Sequence, residues 1–155
     1  MKYKIINKTK IPKKLIKELI EFACPRGLND FVIYLKNVKG KHLSSGAAYM
    51  DVPMVKLEIS DKEYYPQYST NKPLKKVGYK PIFIIRNEKE FLLSLLAHEL
   101  RHLWQNNVSS QDFDKGKLCE FEHLGKKYIT NYKMEIDACK YAKKIIDEYR
   151  KLKIS

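Results

Sequence analysis

One apolar segment limits what this chain can fold into. Residues 87–106 carry apolar side chains at helical spacing, which predicts a helix that is buried over most of its surface. The same segment contains His98, Glu99 and His102. Buried polar groups are costly unless they have partners. The fold must therefore supply partners for these three side chains in its interior.

His98, Glu99 and His102 form the pattern His-Glu-x-x-His. Two histidines four residues apart lie above one another on one helix face, so both imidazoles can reach one ion. Zinc suits them, because it is bound tetrahedrally and accepts nitrogen ligands. Glu99 points about 100° around the helix from His98. There it can act as a base towards a water molecule without binding the metal. The alternative is that the pattern arose by chance among surface charges.

A catalytic zinc site needs a third protein ligand, and four candidates follow: His123, Glu135, Asp137 and Cys139. We favour Glu135, because it begins an apolar stripe on the last predicted helix and should point inward. The stripe continues through Ala138, Ala142, Ile145, Tyr149 and Leu152. Asp137 lies on a more polar face, and Cys139 is more typical of a small core residue. His123 lies in residues 108–130, where no regular structure is predicted, and stays the alternative third ligand.

Length and composition fit one domain over residues 1–155. No stretch approaches the roughly 18–20 apolar residues that a membrane span needs, so no membrane association is expected. The N-terminal residues have no apolar segment typical of a secretory signal. The three cysteines (Cys24, Cys119 and Cys139) are an odd number at wide spacing. This favours reduced thiols, and hence a cytoplasmic protein, over a disulfide framework.

The formal net charge is +13, and residues 1–17 hold seven lysines and no acidic residue. A basic surface attracts nucleic acid through long-range forces. Arg is the residue that reads bases and clamps phosphates best, and the chain has only four. We therefore favour a solvated Lys-rich surface, with nucleic acid as a possible but less favoured partner.

The predicted order of elements is helix, three strands, helix, helix. Pro12 suits the first turn of a helix, and Asn87, with a Glu three residues later, suits a helix start. Residues 61–79 read as a long polar loop. Helices are predicted at 12–24, 87–106 and 131–152, and strands at 31–38, 50–60 and 81–86.

With these motifs, the chain resembles a known group of enzymes. The motif His98–His102 resembles that of the zincin metallopeptidases. With Glu135–Ala138 on a later helix, the chain resembles the gluzincins, and its short length resembles minimal gluzincins and phage-type or ImmA-like metallopeptidases. The resemblance covers roughly residues 80–150. Cys139 departs from it, since many gluzincins carry Asp there as a partner of the metal-binding residues.

The resemblance implies that His98, His102 and Glu135 bind zinc and that Glu99 is the general base. The implied activity is hydrolysis of peptide bonds in a peptide or protein substrate. A weaker resemblance, to SprT-like proteases that act on DNA-bound proteins, would make His123 the third ligand. The basic charge suits that alternative.

The expected fold is α+β, a minimal zincin. A small, mostly antiparallel three-stranded sheet would pack against the active-site helix and a C-terminal helix. An edge strand of that sheet would hold the substrate extended, as an added strand.

Overall fold

The computed structural model describes residues 1–39, 44–69, 83–107, 118–123 and 126–154. For residues 118–123 and 126–131 it describes the backbone alone. Over these residues the chain is an α+β protein. The strands are β1 (Tyr3–Lys8), β2 (Phe31–Val38), β3 (Ser45–Tyr49), β4 (Met54–Ser60), β5 (Gln67–Tyr68), β6 (Ile84–Ile85), β7 (Leu118–His123) and β8 (Lys126–Asn131). The helices are α1 (Lys13–Ala23), α2 (Glu88–Asn107) and α3 (Tyr132–Ile154).

The main sheet has four strands in the order β1-β2-β4-β3. β1 pairs parallel with β2, and β2 parallel with β4, while β3 pairs antiparallel with β4. Parallel neighbours need a crossover connection, and α1 supplies it between β1 and β2. The α+β class is confirmed, but the prediction of a mostly antiparallel, three-stranded sheet is wrong.

Two missed strands explain this error. β1 lies in the Lys-rich N-terminal stretch, where the lysines suggest an exposed segment, but Lys4 and Lys8 share one face of the strand and Tyr3 and Ile5 lie on the other. β3 consists mainly of Ser, Gly and Ala, which have little intrinsic preference for strands. The strand predicted at 50–60 begins only at Met54, because residues 50–53 form the turn that joins β3 to β4.

Other predicted elements also compare directly with the structure. The strand at 31–38 and the three helices are confirmed, with ends that differ by one or two residues. Of the strand predicted at 81–86, Ile84–Ile85 is a strand, and residues 81–82 lie outside the described residues. Residues 108–130 were predicted to be irregular, which is wrong for β7 and β8, which pair as an antiparallel hairpin.

The two faces of the main sheet have different surroundings. One face carries the buried side chains of β2 and β4 and packs against α1 and α2. Its members are Phe31, Ile33, Leu35, Val55 and Leu57. Side chains alternate along a strand, so the intervening residues lie on the opposite face. We call that side the open face; it includes Lys4, Lys8, Tyr34, Lys36, Ala47, Tyr49, Lys56 and Glu58.

α2 is the central helix of the structure. It packs against β3 and β4 on one side and against α1 and α3 on others. Its buried apolar residues include Leu92, Leu93, Leu96, Ala97, Leu100 and Leu103. The predicted burial of this helix is therefore confirmed. None of the helices in the described residues is long and apolar enough to cross a membrane.

The start of α2 is fixed by polar contacts. The backbone N–H of Glu90 donates to the Asn87 side chain at 3.0 Å, as the sequence predicts for a helix cap. The Glu90 carboxylate does not complete a capping box. It accepts a 2.8 Å hydrogen bond from the Arg86 backbone N–H and two from Arg150 of α3, at 2.9 and 2.8 Å. Arg150 also donates to the carbonyl of Ile84. This pair therefore joins the start of α2 to the last turns of α3.

Replacing Glu90 with Ala should lower the free energy of unfolding by about 2–3 kcal/mol, because Arg150 and the Arg86 N–H lose a buried charged acceptor. Urea unfolding measures this loss. Glu88→Ala, on the exposed side of the same turn, should cost less than about 0.5 kcal/mol.

The hydrogen bond from Arg150 lowers the pKa of Glu90 below its usual value. The stabilisation is therefore present above the unfolded-state pKa and is lost as the pH falls through the folded-state pKa. The difference between Glu90→Ala and the unmodified chain should shrink in acid. A difference that is unchanged at low pH would contradict this assignment.

Candidate metal centre

Three side chains from two helices converge at one point. α2 supplies His98 and His102, and the first turn of α3 supplies Glu135. The Nε2 atoms of the two histidines lie 3.1 Å apart. The carboxylate oxygens of Glu135 lie 3.0 Å from His102 Nε2 and 3.3 Å from His98 Nε2. The possible ligand atoms all lie within 4.8 Å of one another, so the group could hold a metal ion.

Helix packing brings these residues together. α3 packs against α2 through Ala138 and Ala142, which are both buried. Small residues at a helix contact allow the axes to approach closely. Glu135 lies one turn before Ala138 on the same stripe and is itself 8% exposed. The predicted inward direction of Glu135 is therefore what the structure has.

The charges in this cluster depend strongly on one another. Burial raises the pKa of the Glu135 carboxyl, but hydrogen bonds from His102 and His98 outweigh burial and hold it far below its ordinary value. Burial lowers the pKa of His98, and the contacts with Cys139 and Glu135 reverse this and raise it. A buried carboxylate needs a compensating positive charge. Either protonated imidazoles or a bound cation can supply it.

Gln105 fixes the orientation of His102. Both hydrogens of the Gln105 amide nitrogen are used, since it donates to the Met134 carbonyl at 2.9 Å and to Asp137 at 2.8 Å. The amide oxygen therefore faces His102 Nδ1, 2.9 Å away, and accepts its hydrogen. In neutral imidazole a hydrogen on Nδ1 leaves the lone pair on Nε2. When the ring is neutral, His102 therefore has its lone pair on the nitrogen that faces Glu135 and His98, as a metal ligand must.

Asp137 and Arg101 hold Gln105 in this position. Arg101 donates two hydrogen bonds to the Asp137 carboxylate, at 2.6 and 3.1 Å. The Arg101 guanidinium lies 3.9 Å from the ring centre of Trp104 and 4.9 Å from that of Tyr141. Bidentate geometry and aromatic stacking both restrict an arginine. The result is a polar network that reaches from the surface of α2 to the His102 ring.

His98 has a different partner. Its Nδ1 lies 3.8 Å from the Cys139 sulfur, within reach of a weak thiol hydrogen bond. Cys139 is 7% exposed, as expected for a core residue. Because it meets the nitrogen that faces away from Glu135, it lies behind the histidine and does not join the ligand group. Among the described residues, that group consists of His98, His102 and Glu135.

Glu99 lies beside the ligand group and against the sheet edge. It is buried, and burial raises the pKa of its carboxyl, although the charges of His98 and His102 oppose this. Strand β3 passes directly alongside. A Cβ atom built on Gly46 would lie 2.8 Å from both Cγ and Oε1 of Glu99. The absence of a side chain at Gly46 is therefore what lets the strand and the Glu99 carboxylate come so close.

The structure brings together three of the predicted residues, His98, His102 and Glu135, with Glu99 next to them. His123 ends strand β7, and its side chain lies outside the described residues. Asp137 was assigned to a polar face, but it is half-buried and supports the site through its hydrogen bonds.

The roles of Gln105 and Gly46 were not predicted from the sequence. Gln105 lies three residues after His102, and side chains at this spacing are neighbours on a helix. The spacing could therefore have identified Gln105 as a partner of His102. Nothing in the sequence connects Gly46 with Glu99, because their proximity is a product of the tertiary fold.

Comparison of the chain with family models, with curated proteins and with solved structures found no match.

We expect the purified protein to bind one divalent ion per chain, because two imidazoles and a carboxylate already converge. His102→Ala and Glu135→Ala should each abolish stoichiometric binding, measured by elemental analysis after dialysis. His123→Ala serves as the comparison and should retain the ion. Loss of the ion in His123→Ala together with retention in Glu135→Ala would show that the third ligand is His123.

Gln105→Leu should weaken metal binding about 10- to 100-fold, because His102 loses the acceptor that fixes its Nδ1–H. Competition with a chromogenic chelator measures this affinity. Asn106→Leu, at the exposed neighbouring position, should leave it unchanged. Equal affinity in Gln105→Leu and the unmodified chain would mean that the network has a purely structural role.

Proposed function

We propose that this chain is a zinc-dependent metallopeptidase of gluzincin type that hydrolyses peptide bonds. The observation that carries the proposal is the convergence of His98, His102 and Glu135 within 4.8 Å, with Glu99 beside them on the same helix. A buried cluster of this kind has little structural benefit without a cation, since each polar group loses its hydration.

The donor set fits zinc better than the hard divalent cations. Two imidazole nitrogens and one carboxylate oxygen are a combination found in catalytic zinc sites. Calcium and magnesium prefer sites made of oxygen ligands alone. The three residues would fill three of the four positions of a tetrahedral ion, which matches the ligand number of a catalytic rather than a structural site.

The chemistry divides between the ion and the chain. When bound, zinc would supply a Lewis acid that polarises a peptide carbonyl and acidifies a water molecule. Glu99 would accept the proton from that water and return it to the nitrogen of the leaving amine. Burial raises the pKa of the Glu99 carboxyl, which makes the carboxylate a stronger base. Gln105 and Cys139 would hold the two imidazoles in place from behind.

β3 is the strand that suits an extended substrate. Among the described strands it is at the edge of the main sheet, with β4 on one side. A peptide that added to its other side would run past Gly46 and therefore past the Glu99 carboxylate. Main-chain hydrogen bonds of this kind bind peptides largely independently of their sequence. The proposed substrate is accordingly a peptide, or an extended segment of a protein.

The departure from the gluzincin pattern at Cys139 is compatible with this proposal. Its sulfur contacts Nδ1 of His98, on the side where a carboxylate would otherwise support the ring. A thiol is a weaker hydrogen-bond partner than a carboxylate. His102, in contrast, has the strong partner Gln105. The two metal-binding imidazoles would therefore be held with unequal rigidity.

Glu99→Gln tests the assigned roles. It preserves size but cannot accept a proton, so zinc should stay bound while hydrolysis falls by about two to four orders of magnitude. Glu88→Gln is the matched control, because it makes the same change at an exposed position of α2. Cleavage of a combinatorial peptide library by the zinc-loaded chain, read by mass spectrometry, provides the rate.

Two outcomes would contradict the proposal. Loss of zinc from Glu99→Gln would make Glu99 a ligand rather than a base. A chain that binds zinc tightly yet cleaves no library peptide would instead be a non-catalytic zinc protein.

A further inference from the structure

The open face of the main sheet carries a second set of side chains that the metal centre does not use. β1 contributes Lys4 and Lys8, which are exposed, and β2 contributes Tyr34 and Lys36. In the described residues, α1 and α2 both pack on the other face. Lys56 on β4 and Tyr49 on β3 also lie on this face.

The charge on the open face is predominantly positive. It carries four lysines and one acidic residue, Glu58. The Glu58 carboxylate lies 2.9 Å from Lys56 Nζ and 3.4 Å from Lys36 Nζ. Both lysines therefore compete for one carboxylate, and the face keeps an excess of positive charge. A patch of this kind attracts a polyanion.

Two tyrosines lie among these lysines. Tyr34 occupies an interior strand, paired across the sheet with Ile6 and Lys56. Lys8 Nζ lies 6.0 Å from the centre of its ring. Tyr49 is on the edge strand β3 and is 44% exposed. From the strand spacing, their Cα atoms lie on the order of 12 Å apart. The rings are thus near enough for one short ligand to reach both.

We propose that the open face binds single-stranded nucleic acid. Lys4, Lys8 and Lys36 would contact the phosphates, and Tyr34 and Tyr49 would stack against unpaired bases. Aromatic side chains on a sheet surface, interleaved with cations, bind single strands because every base has a flat face that can stack. A duplex offers no free base faces to the tyrosines. The described strands of the open face also carry no Arg, the residue that reads duplex grooves best.

This binding would be separate from the metal centre. On β3, Gly46 faces Glu99, whereas the neighbouring Ala47 and Tyr49 lie on the open face. The two surfaces are on opposite sides of one sheet, so a nucleic acid and a peptide could be bound together. The inference therefore does not depend on the proposed peptidase activity.

Fluorescence anisotropy with a labelled oligothymidylate of about 20 nucleotides tests the proposal on the full chain. The oligothymidylate should bind more tightly than a duplex of the same length. Tyr34→Leu should weaken binding at least about fivefold, because base stacking is lost. Tyr34→Phe keeps the aromatic ring and should retain the affinity. If both variants bind equally, stacking is not involved and the proposal fails.

A charge-matched pair of variants tests the location. The triple variant Lys4→Gln, Lys8→Gln and Lys36→Gln should reduce the slope of log affinity against log salt by about 2, since each of the three phosphate contacts contributes about 0.7. The control replaces three exposed lysines of α3, Lys140, Lys143 and Lys144, with Gln. It should change the slope much less.

Equal effects of the two triple variants would mean that net charge alone drives binding, which overturns the proposal. So would equal affinity for the duplex, or binding only to vesicles of anionic phospholipid and not to the oligothymidylate.

Discussion

The contact between α2 and α3 is the constraint on which the rest of the site depends. α2 is buried on nearly all sides, yet it carries two histidines and a glutamate in its second half. Such a helix is stable in a core only if another element brings opposite charge to it. α3 does so by placing Glu135 3.0 Å from His102, with small alanines following it along the contact. The ligand group therefore forms only where α2 and α3 pack closely against each other.

The polar residues around this group form two layers with different tasks. In the inner layer of His98, His102 and Glu135, contacts within the cluster raise the pKa of His98 and lower that of Glu135, because each of these two charges is stabilised by its neighbours. The outer layer of Gln105 and Asp137 determines which nitrogen of His102 carries its hydrogen. Removing an inner residue changes the charge of the cluster. Removing Gln105, the neutral residue of the outer layer, changes only the geometry of the cluster, and this difference separates the two layers experimentally.

Local sequence patterns predicted the helices and the group of His98, His102 and Glu135. They did not predict the strand order of the sheet, because strands that pair there are distant in the sequence. The direction of Glu135 followed from helix periodicity, because the stripe it begins must face the core. The order of strands did not follow, since β2 and β4 are neighbours although β3 lies between them in sequence. The strand β1 was missed because its lysines suggested solvent, whereas they occupy only one of its two faces. Leu152, read as the end of the buried stripe, is 64% exposed, because the last turn of α3 extends past the core.

The close approach of Gly46 to Glu99 couples two positions that are far apart in the sequence. Any side chain at position 46 would meet the Glu99 side chain first, before it met the backbone of α2. Because a side chain moves more easily than a helix, such a change would displace the carboxylate and leave the fold intact. In evolutionary terms the two positions form an epistatic pair: a substitution in an ordinary-looking strand would have the phenotype of a substitution on the central helix, without any loss of stability to reveal it.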